Sequence, residues 1–244
     1  MKFLRKLFSE PIDQKWTKAK NNCWKVVKKS CTGYDNVTIT AHKKPEHSPS
    51  KLISYPLIAN LMRLAADNNN HLKVLDFGGS NGGSYRDIKN FYPAIKFEWD
   101  IVEQKNIVDS CKNFLDEEVS IMSEIPNNKK YDVVIISAVL HYLDDYKPYL
   151  ERLLSLDASH IIVDRTIVFA SSKNKEPILA IQHNPSSFHG KSVTYPCWIL
   201  NENKIFEQIE KKYSLVNRFF SSLDRMNKVA NIRVACVGGI FKKL

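Results

Sequence analysis

Chemistry in this chain gathers first around Asp76, an acid set into the end of an apolar run, Val74-Leu75-Asp76-Phe77, and around the four glycines that follow it, Gly78, Gly79, Gly82 and Gly83. Glycines at such a junction permit positive φ and let a ligand approach the backbone closely. The helix predicted from Ser84 presents free N–H groups and a partial positive charge behind them. A buried strand, a glycine turn and a helix together build a nucleotide-type cofactor site at the carboxyl edge of a parallel sheet. The dinucleotide pattern Gly-x-Gly-x-x-Gly fails here, because its second glycine falls on Ser80. A second acid, Glu103, ends the next predicted strand, 25 positions after Gly78. A carboxylate in that place can accept hydrogen bonds from both hydroxyls of a ribose.

The glycine stretch resembles the first motif of class I S-adenosylmethionine (SAM) methyltransferases, hydrophobic-Leu-Asp-x-Gly-x-x-x-Gly, with Asp76, Gly78, Gly79 and Gly82 in its places. Ser137-Ala138-Val139-Leu140-His141-Tyr142-Leu143-Asp144-Asp145 resembles the loop after the fourth strand of that fold. Together with Val102-Glu103-Gln104, Asp164-Arg165-Thr166, Gln182-His183-Asn184-Pro185 and Tyr195-Pro196, these stretches resemble a methyltransferase family found among bacterial surface-polysaccharide genes, over roughly residues 16–240.

The resemblance implies SAM as cofactor, S-adenosylhomocysteine (SAH) as product, and O-methylation of a sugar or sugar phosphate in capsule or lipopolysaccharide synthesis. It places Asp76, Phe77, Gly78, Gly79, Ser80, Asn81 and Gly82 around the methionine end of SAM. Glu103 and Gln104 fall at the ribose, Ile121 and Met122 at the adenine, and Ser137 beneath the sulfonium. Methyl transfer requires alignment of two reactants, and a hydroxyl acceptor also requires a base. Asp164, His183, His141 and His189 are the candidates for that base. Arg165 is suited to holding a phosphate or carboxylate, or pairs structurally with Asp164. Gln182 and Tyr195 are candidate substrate contacts. No metal-ligand spacing accompanies these residues, so no metal is expected.

The elements that must position this chemistry alternate along the chain. Strands are predicted at Val74–Phe77, Phe97–Val102, Val119–Met122, Tyr131–Ser137 and His160–Asp164. Helices are predicted at Ser84–Tyr92, Gln104–Leu115, about Asp144–Leu156 and Glu202–Tyr213, with two closing strands near 215–221 and 231–238. That alternation predicts an α/β fold, a doubly wound, mostly parallel, Rossmann-like sheet of seven strands. Residues 51–244 form the expected cofactor-binding domain, with a substrate insertion at about 166–200. Residues 1–50 form an N-terminal helical extension or lid, with a helix over 11–30. A further helix starts at Ser48-Pro49 and runs to about Ala66, bent at Pro56.

Composition narrows the class. The chain has 244 residues, enough for one α/β domain with additions. A net charge of +10 suits either an anionic partner or a lysine-rich solvated surface. Five scattered cysteines without a CxxC pair read as reduced thiols of a cytoplasmic protein. No stretch is apolar enough to span a membrane, and Met1–Phe8 lacks the apolar core of a secretory signal. As a helix, Met1–Phe8 would gather Phe3, Leu4, Leu7 and Phe8 on one side, which suits packing on the domain or weak peripheral contact with an anionic membrane. Nucleic acid is not the expected partner: no Asp-Pro-Pro-Tyr-like motif is present. A binding module that kept the fold without the chemistry is the alternative from another class.

Overall fold

The computed structural model describes residues 15–32, 53–113, 115–171, 175–184, 193–221, 228–229 and 232–244. Its core is a twisted sheet flanked by helices. The central strand β2 (His71–Phe77) pairs in parallel with β3 (Lys96–Val102) on one side and β5 (Val133–Ser137) on the other. Beyond β3 lies β4 (Val119–Met122), and beyond β5 lies β6 (His160–Phe169), both parallel to their neighbours. The sheet closes with β11 (Ile232–Lys243), antiparallel to both β6 and β9 (Tyr213–Phe220). These seven strands give the predicted doubly wound topology; the two-residue β10 (Lys228–Val229) adds an eighth along β11.

The β-branched runs explain why both faces are covered. Val133 and Ile135 point to one face of the sheet, Val134 and Ile136 to the other, and all four are fully buried. The first face packs against α2 (Tyr55–Asp67) through Leu57, Ile58, Leu61 and Leu64, and against α3 (Gly83–Phe91) through Tyr85 and Ile88. The second face packs against α5 (Lys147–Leu154) through Leu150, Leu153 and Leu154, and against α6 (Glu202–Glu210) through Ile205, Phe206 and Ile209.

Several boundaries differ from expectation for local reasons. Pro56 does not bend α2; it lies in the first turn, where a missing N–H costs nothing. The helix α4 spans only Lys105–Cys111, with Gln104 as its N-cap. Asp145 precedes α5 and accepts the Lys147 N–H at 3.0 Å, so the acid ends the preceding loop instead of opening the helix. The expected helix over 11–30 is corrected within the described residues: β1 (Lys15–Lys18) is a strand, and only α1 (Trp24–Lys29) is helical. The strand forms because it has a partner, β7 (Ile178–Asn184), which pairs in turn with β8 (Val193–Ile199). The segments expected at Met1–Phe8 and Ser48-Pro49, with the candidate base His189, lie outside the described residues.

This second, three-stranded antiparallel sheet joins the N-terminal segment to the insertion. Trp24 stacks on Trp198 with ring centroids 5.9 Å apart, over a small cluster of Ala19, Val27 and Leu179. The Trp198 indole donates to the Asp144 carbonyl at 3.2 Å, tying the sheet to the loop after β5.

Candidate functional site

The strand order reverses between β2 and β5, and the glycine turn leaves β2 at that crevice. Gly78, with φ +77°, abuts the loop after β5: a Cβ there would lie 2.7 Å from Val139 Cγ2. Gly79 passes directly over Asp76, so that a Cβ would stand 2.5 Å from Asp76 Oδ2. Ser80 (φ +53°) and Gly82 (φ +81°) are also left-handed, and Gly82 caps α3. Arg86 on α3 then fastens the turn, donating to the Asn81 carbonyl at 2.5 Å and to Asn81 Oδ1 at 3.0 Å. Sequence reasoning missed Arg86. Its signal is a cation one turn into the helix that follows the glycines.

Glu103 reaches this turn from the end of β3. One carboxylate oxygen accepts the Ser80 N–H at 3.3 Å and the other the Gln104 N–H at 2.7 Å. Burial raises its pKa, and these two N–H groups hold it down in part. Asp76 is 1% exposed, and its Oδ2 is buried without a hydrogen-bond partner. Burial pushes its carboxyl up to about 7; the Trp99 indole, near but outside hydrogen-bond geometry, offsets this in part, and the Glu103 charge adds to it. Phe77 turns its ring into the core against Tyr149, leaving its backbone at the turn. Ile121 and Met122 end β4, half-buried beside the main-chain bond from Glu103 N–H to the Met122 carbonyl.

A distinct feature interrupts the middle of β6. Val163 pairs with Gly239 and Thr166 with Val237, so Asp164 and Arg165 together oppose Gly238 in a β-bulge. Asp164 is fully buried; its Oδ1 accepts the Arg165 N–H at 2.8 Å, and its carbonyl accepts the Ala138 N–H at 3.0 Å. Arg165 (φ +52°), within β6, and Ala138 (φ +54°), just past the end of β5, are left-handed non-glycine residues. Strain of this kind clusters where geometry serves a ligand. The bulge turns Arg165 into a cleft with Ser137, facing Ser54 on the approach to α2 and Ser84 and Asp87 on α3.

That arrangement places a carboxylate-capped glycine turn at the carboxyl edge of a doubly wound sheet, and the sequence match agrees with it. Residues 50–183 match the family described as a methyltransferase domain. The chain belongs to that family. No curated protein matches this methyltransferase in sequence. Among solved structures, the N-methyltransferase NodS from Bradyrhizobium japonicum, in complex with SAH, is similar at 11% identity over 91% of this chain and 99% of that chain, with a TM-score of 0.50. The N-terminal domain of EvdMO1, crystallised in the presence of SAH and D-fucose, is similar at 10% identity over 77% and 83%, with a TM-score of 0.51. At these identities the likeness establishes the shared fold.

The second sheet of this methyltransferase sorts the remaining candidates by face. Gln182 and Tyr195 are cross-strand partners and share a face, since side chains of paired residues point the same way. Tyr142, from the short 3₁₀ turn Leu140–Tyr142, donates its hydroxyl to Gln182 Oε1 at 2.5 Å and lies 6.3 Å, ring to ring, from Tyr195. His141, 2% exposed, sits beside Tyr142 with ring centroids 4.2 Å apart. His183, next to Gln182 along β7, takes the opposite face and meets Thr17 Oγ1 at 3.1 Å. The structure therefore groups Gln182, Tyr195 and His141 around Tyr142 and turns His183 away from them. Among the described residues, no three His, Cys, Asp or Glu side chains cluster as a metal site. No helix among them is long and apolar enough to cross a membrane.

Proposed function

We propose that this chain is a SAM-dependent methyltransferase that methylates a hydroxyl of a sugar or sugar phosphate during capsule or lipopolysaccharide synthesis in the cytoplasm. The observation that carries the cofactor reading is the Glu103 carboxylate lying against the glycine turn at Ser80. The residues fit the cofactor: without a Cβ, Gly79 lets the turn close over Asp76, and Asp76 Oδ2 is a buried acceptor still to be satisfied. When bound, SAM supplies a methyl group made electrophilic by its sulfonium. In this reading Gly78–Gly82 cradle the methionine end, with Asp76 beneath them. Glu103 accepts from the ribose hydroxyls, Gln104 shapes its approach, Ile121 and Met122 flank the adenine, and Ser137 closes the floor. SAH is then the product.

For the acceptor, Arg165 lines the cleft beside Ser137, and Gln182 and Tyr195 offer polar groups from the insertion. His141 is the candidate to take the hydroxyl proton, because it stands with Tyr142 on the Gln182 side. Asp164, buried and bonded to the Arg165 N–H, sets the bulge. His183 meets Thr17 and serves the docking of β1. The test is methyl transfer from radiolabelled SAM to nucleotide sugars, neutral hexoses and duplex DNA. Label in a sugar fraction, abolished by His141→Ala with SAH affinity intact, supports the reading; label in DNA alone contradicts it.

A further inference from the structure

The glycine turn is held from two sides by side chains of opposite charge. Gly79–Gly82 is a β-turn, closed by the Gly82 N–H donating to the Gly79 carbonyl at 3.0 Å. Glu103 takes the N–H of Ser80, in the middle of that turn, at 3.3 Å. Arg86 gives two N–H groups to the next residue, Asn81: Nη1 to its carbonyl at 2.5 Å and Nη2 to its Oδ1 at 3.0 Å. A planar fork that grips the backbone and the side chain of one residue fixes both. Beyond the turn, the first helical bond of α3 runs from the Arg86 N–H to the Gly82 carbonyl at 3.1 Å. The N–H groups of Gly83, Ser84 and Tyr85 therefore have no partner within the helix, and neither a capping side chain nor a first-turn acid answers them. Under the same turn, Asp76 Oδ2 is a buried acceptor without a hydrogen bond, in a residue 1% exposed. The turn thus sets positive charge at the start of α3 and an acid below Gly79, the complement of a zwitterionic amino acid.

We infer that Arg86, acting through Asn81, is the positioning residue for the carboxylate of the cofactor's amino-acid end. The inference rests on the methyltransferase reading above. A carbonyl oxygen is the negative end of the peptide dipole, and one swung toward the helix start would repel an anion bound there. Arg86 draws both Asn81 oxygens onto its own guanidinium and so keeps them from that place. It needs no contact with the cofactor to do this. Its charge alone does not suffice, because a lysine ammonium lacks the planar fork that spans two oxygens of one residue.

The experiment is calorimetric titration of the full chain with two probes: SAH, and S-adenosyl-3-thiopropylamine, which is SAH without its carboxylate, read by competition against SAH. Wild type should bind SAH about tenfold or more tightly than the amine. Arg86→Ala should lose about tenfold or more for SAH and less than about threefold for the amine, so that the preference between them collapses. Arg86→Lys, the variant more certain to fold, should still lose about threefold or more for SAH alone. In an Asn81→Ala background, removing Arg86 should cost SAH less, because one of the two oxygens is already gone. Thermal unfolding of each variant shows that it is folded. Equal proportional losses for both probes would overturn the inference, since Arg86 would then only stabilise the turn. Unchanged SAH affinity in Arg86→Ala would overturn it too, as would full recovery in Arg86→Lys, strict additivity with Asn81→Ala, or a wild type that binds the two probes equally. Failure of wild type to bind SAH is a separate result, which removes the methyltransferase reading and this inference with it.

Discussion

Replacing Gly78 by alanine tests the shape of the turn on which the site depends. At φ +77° an L-residue costs about 1–2 kcal/mol. The new methyl would also stand 2.7 Å from Val139 Cγ2 and 2.8 Å from Val139 Cβ. Rotation of the half-buried Val139 side chain cannot move its Cβ, so relief needs a backbone shift and overpacking adds about 1–3 kcal/mol. The sum is about 2–5 kcal/mol, which in a chain of this size lowers Tm by roughly 4–20 °C. Gly83→Ala is the control: no atom lies within 4 Å of its added Cβ, and it begins a helix, so stability should hold or rise by up to about 1 kcal/mol. Adding Val139→Ala to Gly78→Ala should restore less than half of the loss, because the Cβ contact persists. Thermal and urea unfolding of the three variants decide the matter. A Gly78→Ala protein as stable as Gly83→Ala would refute the left-handed turn and its packing on the loop after β5.

Three further outcomes follow from the same geometry. The folded Asp76 carboxyl is raised from 3.8 to about 7, so its contribution to stability is complete below about pH 4 and is lost as pH rises through about 7. Urea midpoints should therefore fall between about pH 5 and pH 8 more steeply in wild type than in Asp76→Asn, and equal slopes would reject the assignment. Tyr131→Phe removes a 2.6 Å hydrogen bond to the buried Asp100 carboxylate, which Lys129 also contacts, and should cost about 1.5–3 kcal/mol in urea unfolding; a neutral result would contradict that bond. Trp198→Ala removes the stack on Trp24, and limited trypsin digestion should then cut after Lys18, Lys20 or Lys25 while the parallel-sheet core survives; unchanged resistance would mean the second sheet holds without it.

The parallel sheet was legible because its strands are short β-branched runs, such as Val133–Ile136, and β2 and β5 lead to helices, α3 and α5, whose apolar residues pack on opposite faces. The glycine turn was legible because positive φ selects glycine, and Gly78 and Gly82 both adopt it. Ser80, Ala138 and Arg165 are left-handed as well, and their side chains announce nothing of the kind. The strand at Lys15–Lys18 was read as helix because its lysines and Trp16 fit a helical period, whereas its conformation is set by pairing with β7, more than 150 residues away. Asp87 escaped notice for a similar reason: an aspartate on a polar-looking helix declares its burial only once α2 and β5 are packed beside it. The opposite faces of Gln182 and His183 follow from period-two alternation, but only after both are known to share one strand.

The central claim is that the Glu103 carboxylate and the glycine turn together hold a nucleoside cofactor. Calorimetric titration of SAH into wild type and Glu103→Ala tests it most directly. Binding in the micromolar range by wild type, weakened about tenfold to a hundredfold by Glu103→Ala with folding unchanged, is the result this account predicts. Equal affinity in the two proteins, or no binding by folded wild type, would contradict it.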